Sequence, residues 1–173
     1  MKLLAFLLIF AVCSAVAQKH ADPLTAAEID QLRDTAQDPE MRLKLYVQFT
    51  RARLEAITQA QSDPKITDRS QAIHDKLQDF LDVYDELDEN VDMFADRRND
   101  IRKPLKLVIG ADTEFQAKLR TLKDAASNKD EMKEYEFLLG NALDAVNNGL
   151  QDHRQLLTEQ DEAAKNKKLI KPQ

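Results

Sequence analysis

The chain has 173 residues, which suits a single domain, and it contains only 3 Gly, 5 Pro and no Trp. Low Gly and Pro together with 32% charged residues favour helices over sheets. The net charge of −6 argues against general nucleic-acid binding, which needs a basic surface. It also argues against docking to anionic membranes, except through the basic C-terminal tail.

The first 17 residues have the features of an export signal. Lys2 precedes an unbroken apolar run over residues 3–12, and Ala-Val-Ala at 15–17 supplies a small-x-small cleavage site. The run is too short to span a bilayer, which takes about 20 apolar residues. We therefore expect a signal peptide over residues 1–17 and an exported mature chain, periplasmic or secreted, with no membrane span.

Cys13 offers a second route, anchoring as a bacterial lipoprotein. This route is disfavoured because Val12 stands where a small residue should precede the lipidated cysteine. If Cys13, the only cysteine, leaves with the signal, the mature protein has neither disulfide nor thiol chemistry.

Two helices are predicted at the start of the mature chain. Thr25 and Glu28 form a capping box that begins a short helix over 25–36. Asp38 as N-cap and Pro39 in the first turn begin a second helix that ends near residue 60. This second helix has apolar residues on two sides, so the short helix is expected to cover the outer stripe. The outer stripe comprises Met41, Leu45 and Phe49.

The stretch 73–101 carries a heptad stripe, the pattern of a helix buried along one face. Its apolar positions are Ile73, Leu77, Phe80, Tyr84, Leu87, Val91 and Phe94. The aromatic residues are bulky for the seam of a two-stranded coiled coil, so the stripe favours the core of a helical bundle.

Acidic residues coat the outer face of this third helix. They are Asp75, Asp79, Asp82, Asp85, Glu86, Glu89, Asp92, Asp96 and Asp100, while Asp88 alone falls off the outward positions. We interpret them as a solvated face. A docking surface for a basic partner, or a low-affinity Ca²⁺ site, is the alternative, although the EF-hand pattern is absent.

The heptad phase continues through Pro104, but proline inside a helix costs about 3 kcal/mol. Basic residues also cluster just before it, as at a helix C-terminus. We therefore expect a break or sharp kink near Pro104, and a second weak point at Gly110. A last helix begins at 127–128 and has a weak spot at Asn-Asn-Gly, 147–149; residues 165–173 form a flexible basic tail.

Three polar residues fall on apolar positions and are candidates for a polar core or an interaction role. Arg98 and Asp112 lie at similar distances from Pro104, so a turn there predicts an ion pair between them. The alternative is that both reach water at the bundle end. His153 lies within the stripe of the last helix, as a core histidine or a pH-responsive group.

Motifs of catalysis and of cofactor binding are missing. The sequence lacks Glu-x-x-His, His-Glu-x-x-His, Gly-x-Ser-x-Gly and a phosphate-binding Gly-rich loop. Haem held by His153 and a methionine is the one cofactor that the residue types leave open. We expect no catalytic residue, no cofactor and no metal.

The predicted architecture is an all-α, antiparallel bundle of about four main helices with a short N-terminal helix, over residues 18–164. The predicted function is non-catalytic: a protein-interaction or structural module with an unknown protein partner or self-association. The alternative is a chaperone-like or small-ligand-binding bundle of the cell envelope that uses an apolar groove between helices.

Overall fold

A computed structural model describes residues 22–125 and 132–170, with side chains as far as residue 167. These residues form an all-α bundle without strands, as predicted. Its helices are α1 (Ala26–Asp34), α2 (Pro39–Ser62), α3 (Arg69–Asp96), α4 (Arg102–Ala125) and α5 (Glu136–Ile170). None of these helices is long and apolar enough to cross a lipid bilayer.

Side-chain caps fix where the first three helices begin. The Thr25 backbone N–H donates to the Glu28 carboxylate at 2.7 Å, and the Glu28 N–H donates to the Thr25 hydroxyl at 3.2 Å. Asp38 accepts the Met41 N–H at 3.0 Å at the start of α2. Asp68 caps α3 in the same way. Each cap satisfies a backbone donor that the helix leaves free, so these starts are local properties of the sequence.

Hydrogen-bonded pairs define the direction of the main helices. In the pairs α2/α3 and α4/α5, residue numbers rise on one helix as they fall on the other, so these pairs run antiparallel. The bonds join Arg42 to Asn90, Tyr46 to Glu86, Arg102 to Asp161, and Gln116 to Asn147.

The other two packed pairs among the four main helices, α2/α4 and α3/α5, run parallel. Lys103 contacts Glu40 at 2.6 Å and Arg51 contacts Glu114 at 2.9 Å, so numbers rise together along α2 and α4. The consecutive helices α3 and α4 lie diagonally across the bundle rather than side by side. The predicted antiparallel arrangement therefore describes two of the four interfaces.

The break in the long heptad pattern lies before Pro104. Helix α3 ends at Asp96 and α4 begins at Arg102, so residues 97–101 connect them. Pro104 lies in the first turn of α4, where the missing N–H would have had no helical partner. Gly110 and the 147–149 segment both lie within continuous helix, so neither of these predicted weak points ends a helix.

Aromatic rings meet at the centre of the bundle, across its diagonal. Phe80 stacks on Tyr84 with ring centroids 6.0 Å apart, and Phe115 of α4 meets Phe80 edge-on at 5.9 Å. All three residues are almost fully buried. The heptad stripe of α3 is thus part of a bundle core, as its aromatic residues predicted.

Helix α1 covers the outer stripe of α2 only in part. Arg53 donates to the Glu28 carboxylate at 2.6 Å and to the Pro23 carbonyl at 2.6 Å, which fixes α1 on α2. Of the outer stripe, Phe49 is buried, whereas Met41 remains exposed.

The C-terminal helix extends further toward the C-terminus than predicted. Its predicted start at 127–128 lies outside the described residues, and its described part begins at Glu136. The predicted flexible tail from residue 165 is instead helical as far as Ile170.

Candidate functional site

Four polar side chains meet inside the bundle, and we call them the polar cluster: Tyr84, Asp88, Asp112 and His153. Asp112 of α4 is 0% exposed and His153 of α5 is 2% exposed. The Tyr84 hydroxyl donates to Asp112 Oδ1 at 3.1 Å, and His153 Nδ1 lies 2.8 Å from Asp112 Oδ2. Both carboxylate oxygens of Asp112 therefore have a partner, as a buried charge requires.

The second nitrogen of the imidazole faces α3. His153 Nε2 lies 3.0 Å from Asp88 Oδ1, an ion-pair distance. The N–H direction is poorly aligned with that oxygen, so Nε2 makes no well-formed hydrogen bond. The Asp88 side chain is 44% exposed, so it connects the buried cluster to the acidic outer face of α3.

Gly149 makes room for the cluster. A Cβ atom at this position would lie 2.2 Å from the Tyr84 hydroxyl oxygen. Only glycine at position 149 lets the Tyr84 phenol approach α5 so closely, because every other residue type carries a Cβ that would clash with it. Gly149 is one helical turn before His153, so this turn of α5 supplies both the space and the imidazole.

Burial and charge act in opposite directions on His153. Burial alone lowers the pKa of its imidazole, but the hydrogen bond to Asp112 and the negative charges of Asp112 and Asp88 outweigh it and raise the pKa to about 9. Burial, together with the charges of Asp112 and Asp88, raises the pKa of Tyr84. At neutral pH the cluster is therefore an imidazolium held between carboxylates, with a neutral phenol beside them.

This arrangement links three helices, α3, α4 and α5, through one imidazole. Asp88 and Asp112 lie on opposite nitrogens of His153, so the three groups do not converge on one ion. No group of three or more His, Cys, Asp or Glu side chains within the described residues is arranged to hold a metal. Asp112 and His153 are closed to solvent, and Asp88 is the member of the cluster that reaches the surface.

The structure brings together two of the three candidate residues. Asp112 and His153 pair directly. The predicted ion pair between Arg98 and Asp112 is wrong: Arg98 is exposed in the α3–α4 connection. Asp112 is ten residues into α4, about 15 Å beyond its first residue at 1.5 Å per residue, so the two side chains lie at different depths.

Sequence reasoning missed Tyr84, Asp88 and Gly149 as partners of these residues. Asp88 carried a signal, because it alone among the acidic residues fell off the outward positions of α3. Tyr84, one turn earlier on the apolar stripe, brought a hydroxyl that a buried site must satisfy. Gly149 resembled a turn residue because its role depends on a side chain from another helix.

Acidic residues beside the cluster repel one another. Burial and the nearby charges of Asp82 and Asp88 raise the pKa of Asp85. Burial and the charges of Asp88 and Asp96 likewise raise the pKa of Asp92. The acidic face of α3 therefore holds its negative charges at some cost in stability.

Comparison of the chain with protein-family models, with curated proteins and with solved structures finds no match.

Proposed function

We propose that this chain is an exported, non-catalytic helical protein that acts by binding another protein. The observation that carries the proposal is Phe137, in the first turn of α5, which is 80% exposed. Covering a Phe side chain with a partner contributes about 1.5–3 kcal/mol. Buried aromatic anchors of this kind dominate the affinity of many protein interfaces.

The non-catalytic part of the proposal is supported by the closed polar cluster. Its titratable groups resemble those that enzymes use, but Asp112 and His153 are buried and are partnered by each other and by neighbouring side chains. Their strong interactions with one another account for the raised pKa of His153 without any catalytic role.

The export part of the proposal is supported by the charged start, the apolar run and the small residues at 15–17. In the periplasm or outside the cell, a partner would be recognised without thiol chemistry, because the only cysteine, Cys13, precedes the cleavage site.

Photo-crosslinking tests the binding role. A photoreactive phenylalanine analogue replaces Phe137 in cells that make the protein, and a matched control places it at Gln151, an exposed polar position of the same helix. We expect an adduct of defined mass at 137 and none at 151, and loss of the partner from a co-purification when Phe137→Ser is introduced. Equal adducts at both positions, or none at 137, would contradict the proposal.

The Phe137→Ser variant separates binding from folding. Because the ring is largely in water, its removal should leave the thermal midpoint of unfolding unchanged. A large drop in that midpoint would show that the ring stabilises the fold instead.

A second candidate function, binding of a small ligand, is favoured by a groove beside the α3–α4 connection.

A further inference from the structure

A groove of about 600 Å³ runs between the α3–α4 connection and the C-terminal half of α5. Its apolar surface comprises Ala95, Leu156, Ala163 and Ala164. Gln160 fixes its wall, because the side chain accepts the Ile101 N–H at 3.1 Å and donates to the Asn99 carbonyl at 3.1 Å. These two hydrogen bonds fix the α3–α4 connection against α5 and so define the groove. Its volume suits a small ligand.

Arg98, at the edge of this groove, has an unusual backbone. Its φ is 59°, and among the described residues it is the only non-glycine with positive φ. The Arg98 N–H donates to the Ala95 carbonyl and the Asn99 N–H to the Phe94 carbonyl, the bonding of a Schellman motif. Glycine is favoured at this position because it adopts positive φ without strain. The chain thus places a long cationic side chain at a position where the backbone conformation favours glycine, which has no side chain.

Some of the charged side chains along the groove form ion pairs with protein groups, and others do not. Arg102 is held by Asp100 at 2.6 Å and by Asp161 at 3.3 Å, so it is neutralised locally. The Arg98 guanidinium forms no ion pair with any side chain that the structure describes. Lys167 lines the same groove from the last turns of α5. Arg98 and Lys167 therefore present two cations beside an apolar surface, with Glu159 and Asp100 as the opposing charges. Asp100 is shared, because it pairs with Arg102 and also lies close enough to Lys167 to interact with its charge.

We propose that this groove binds a small amphipathic anion, with its carboxylate-type head at Arg98 and Lys167 and its aliphatic body on the alanine-rich surface. Guanidinium pairs with such heads through charge-assisted, often bidentate hydrogen bonds. The small side chains at 95, 163 and 164 let an aliphatic body approach the helices closely. The site is separate from the protein-binding role proposed for Phe137 and does not depend on it.

Two probes of the same chain length and opposite charge test the proposal on the purified mature chain. Dodecanoate should bind saturably by calorimetry, and dodecyltrimethylammonium at least tenfold more weakly. Equal affinity for the two probes would show that the groove binds only the aliphatic chain and does not recognise the anionic head, which would overturn the proposal. Absence of saturable dodecanoate binding up to millimolar concentration would overturn it too.

Arg98→Gly separates the ligand role from a structural one. Because glycine suits the positive φ, this variant should unfold at a higher temperature than wild type. It should also lose about tenfold or more in dodecanoate affinity, the scale of a lost hydrogen bond to a charged group. Unchanged affinity would overturn the proposal, and so would a lowered unfolding temperature, which would make Arg98 a structural residue.

Two more variants localise the site. Arg120→Ala removes an exposed arginine near the far end of α4 and should leave binding unchanged. Ala163→Trp fills the groove from an exposed position and should abolish binding without unfolding the chain. Full binding by Ala163→Trp, or equal losses in Arg98→Gly and Arg120→Ala, would count against the groove.

Discussion

Raising the pH should weaken the bundle by deprotonating His153. The pKa of this imidazole rises from 6.5 to about 9 in the folded protein. A group whose pKa is raised by folding stabilises fully below its unfolded value and loses that contribution as pH passes through its folded value. At about 1.36 kcal/mol per pKa unit, the loss between pH 6.5 and 9.5 is roughly 3 kcal/mol. Neutral His153 leaves the Asp112 charge buried without a counter-charge, which is the physical source of the loss.

The assay is the free energy of unfolding, measured by urea titration with circular dichroism at half-unit steps from pH 6 to 9.5. Wild type is compared with His153→Asn, whose stability should be lower at pH 6 and nearly flat over the same range. Groups that titrate in both proteins cancel in the difference. His74→Asn is the matched control, because His74 is half-exposed and lies 3.5 Å from Asp75. It should keep the wild-type slope.

Parallel profiles for wild type and His153→Asn would refute the reasoning. If that variant does not fold, proton NMR of the wild type decides the matter directly. A titration of the His153 ring near pH 9 is expected, and one near 6.5 would refute the ion-pair description of the polar cluster.

Gly149→Ala should destabilise the protein by about 1–3 kcal/mol, because its Cβ would meet the Tyr84 hydroxyl at 2.2 Å. Gly140→Ala, on the same helix with nothing within 4 Å of the new Cβ, should be neutral or stabilise by up to about 1 kcal/mol. In a double-mutant cycle Tyr84→Phe should remove part of the Gly149→Ala penalty, and strict additivity would argue against the contact. Export predicts that the protein recovered from its source cell begins at Gln18; an intact mass that retains the first 17 residues would contradict the signal peptide.

The local features of this fold were readable from the sequence. Thr25 with Glu28, and Asp38 with Pro39, satisfy their helix ends through bonds a few residues away, so spacing alone revealed them. The buried face of α3 was readable for the same reason, since a heptad stripe is a property of one helix.

Features that join distant segments were not readable in this way. The stripe of α3 identifies which face is buried, but not that α4, next in the chain, lies across the diagonal. Arg98 and Asp112 were both recognised as polar residues on apolar positions, yet their partners depend on where the chain turns. That turn occurs at 97–101, before Pro104. Pro104 does not itself end a helix, because proline is tolerated in the first helical turn.

The chain is in effect two antiparallel hairpins, α2/α3 and α4/α5, joined by residues 97–101. Tyr84 and Asp88 belong to the first hairpin, whereas Asp112 and His153 belong to the second. Aliphatic stripes alone would tolerate sliding one hairpin by a helical turn, about 5.4 Å. The same slide would carry Asp112 away from Tyr84 while keeping it inside an apolar core, at the cost of an incompletely satisfied buried carboxylate. The polar cluster therefore fixes the register between the two hairpins, because its hydrogen bonds and ion pairs form in only one alignment.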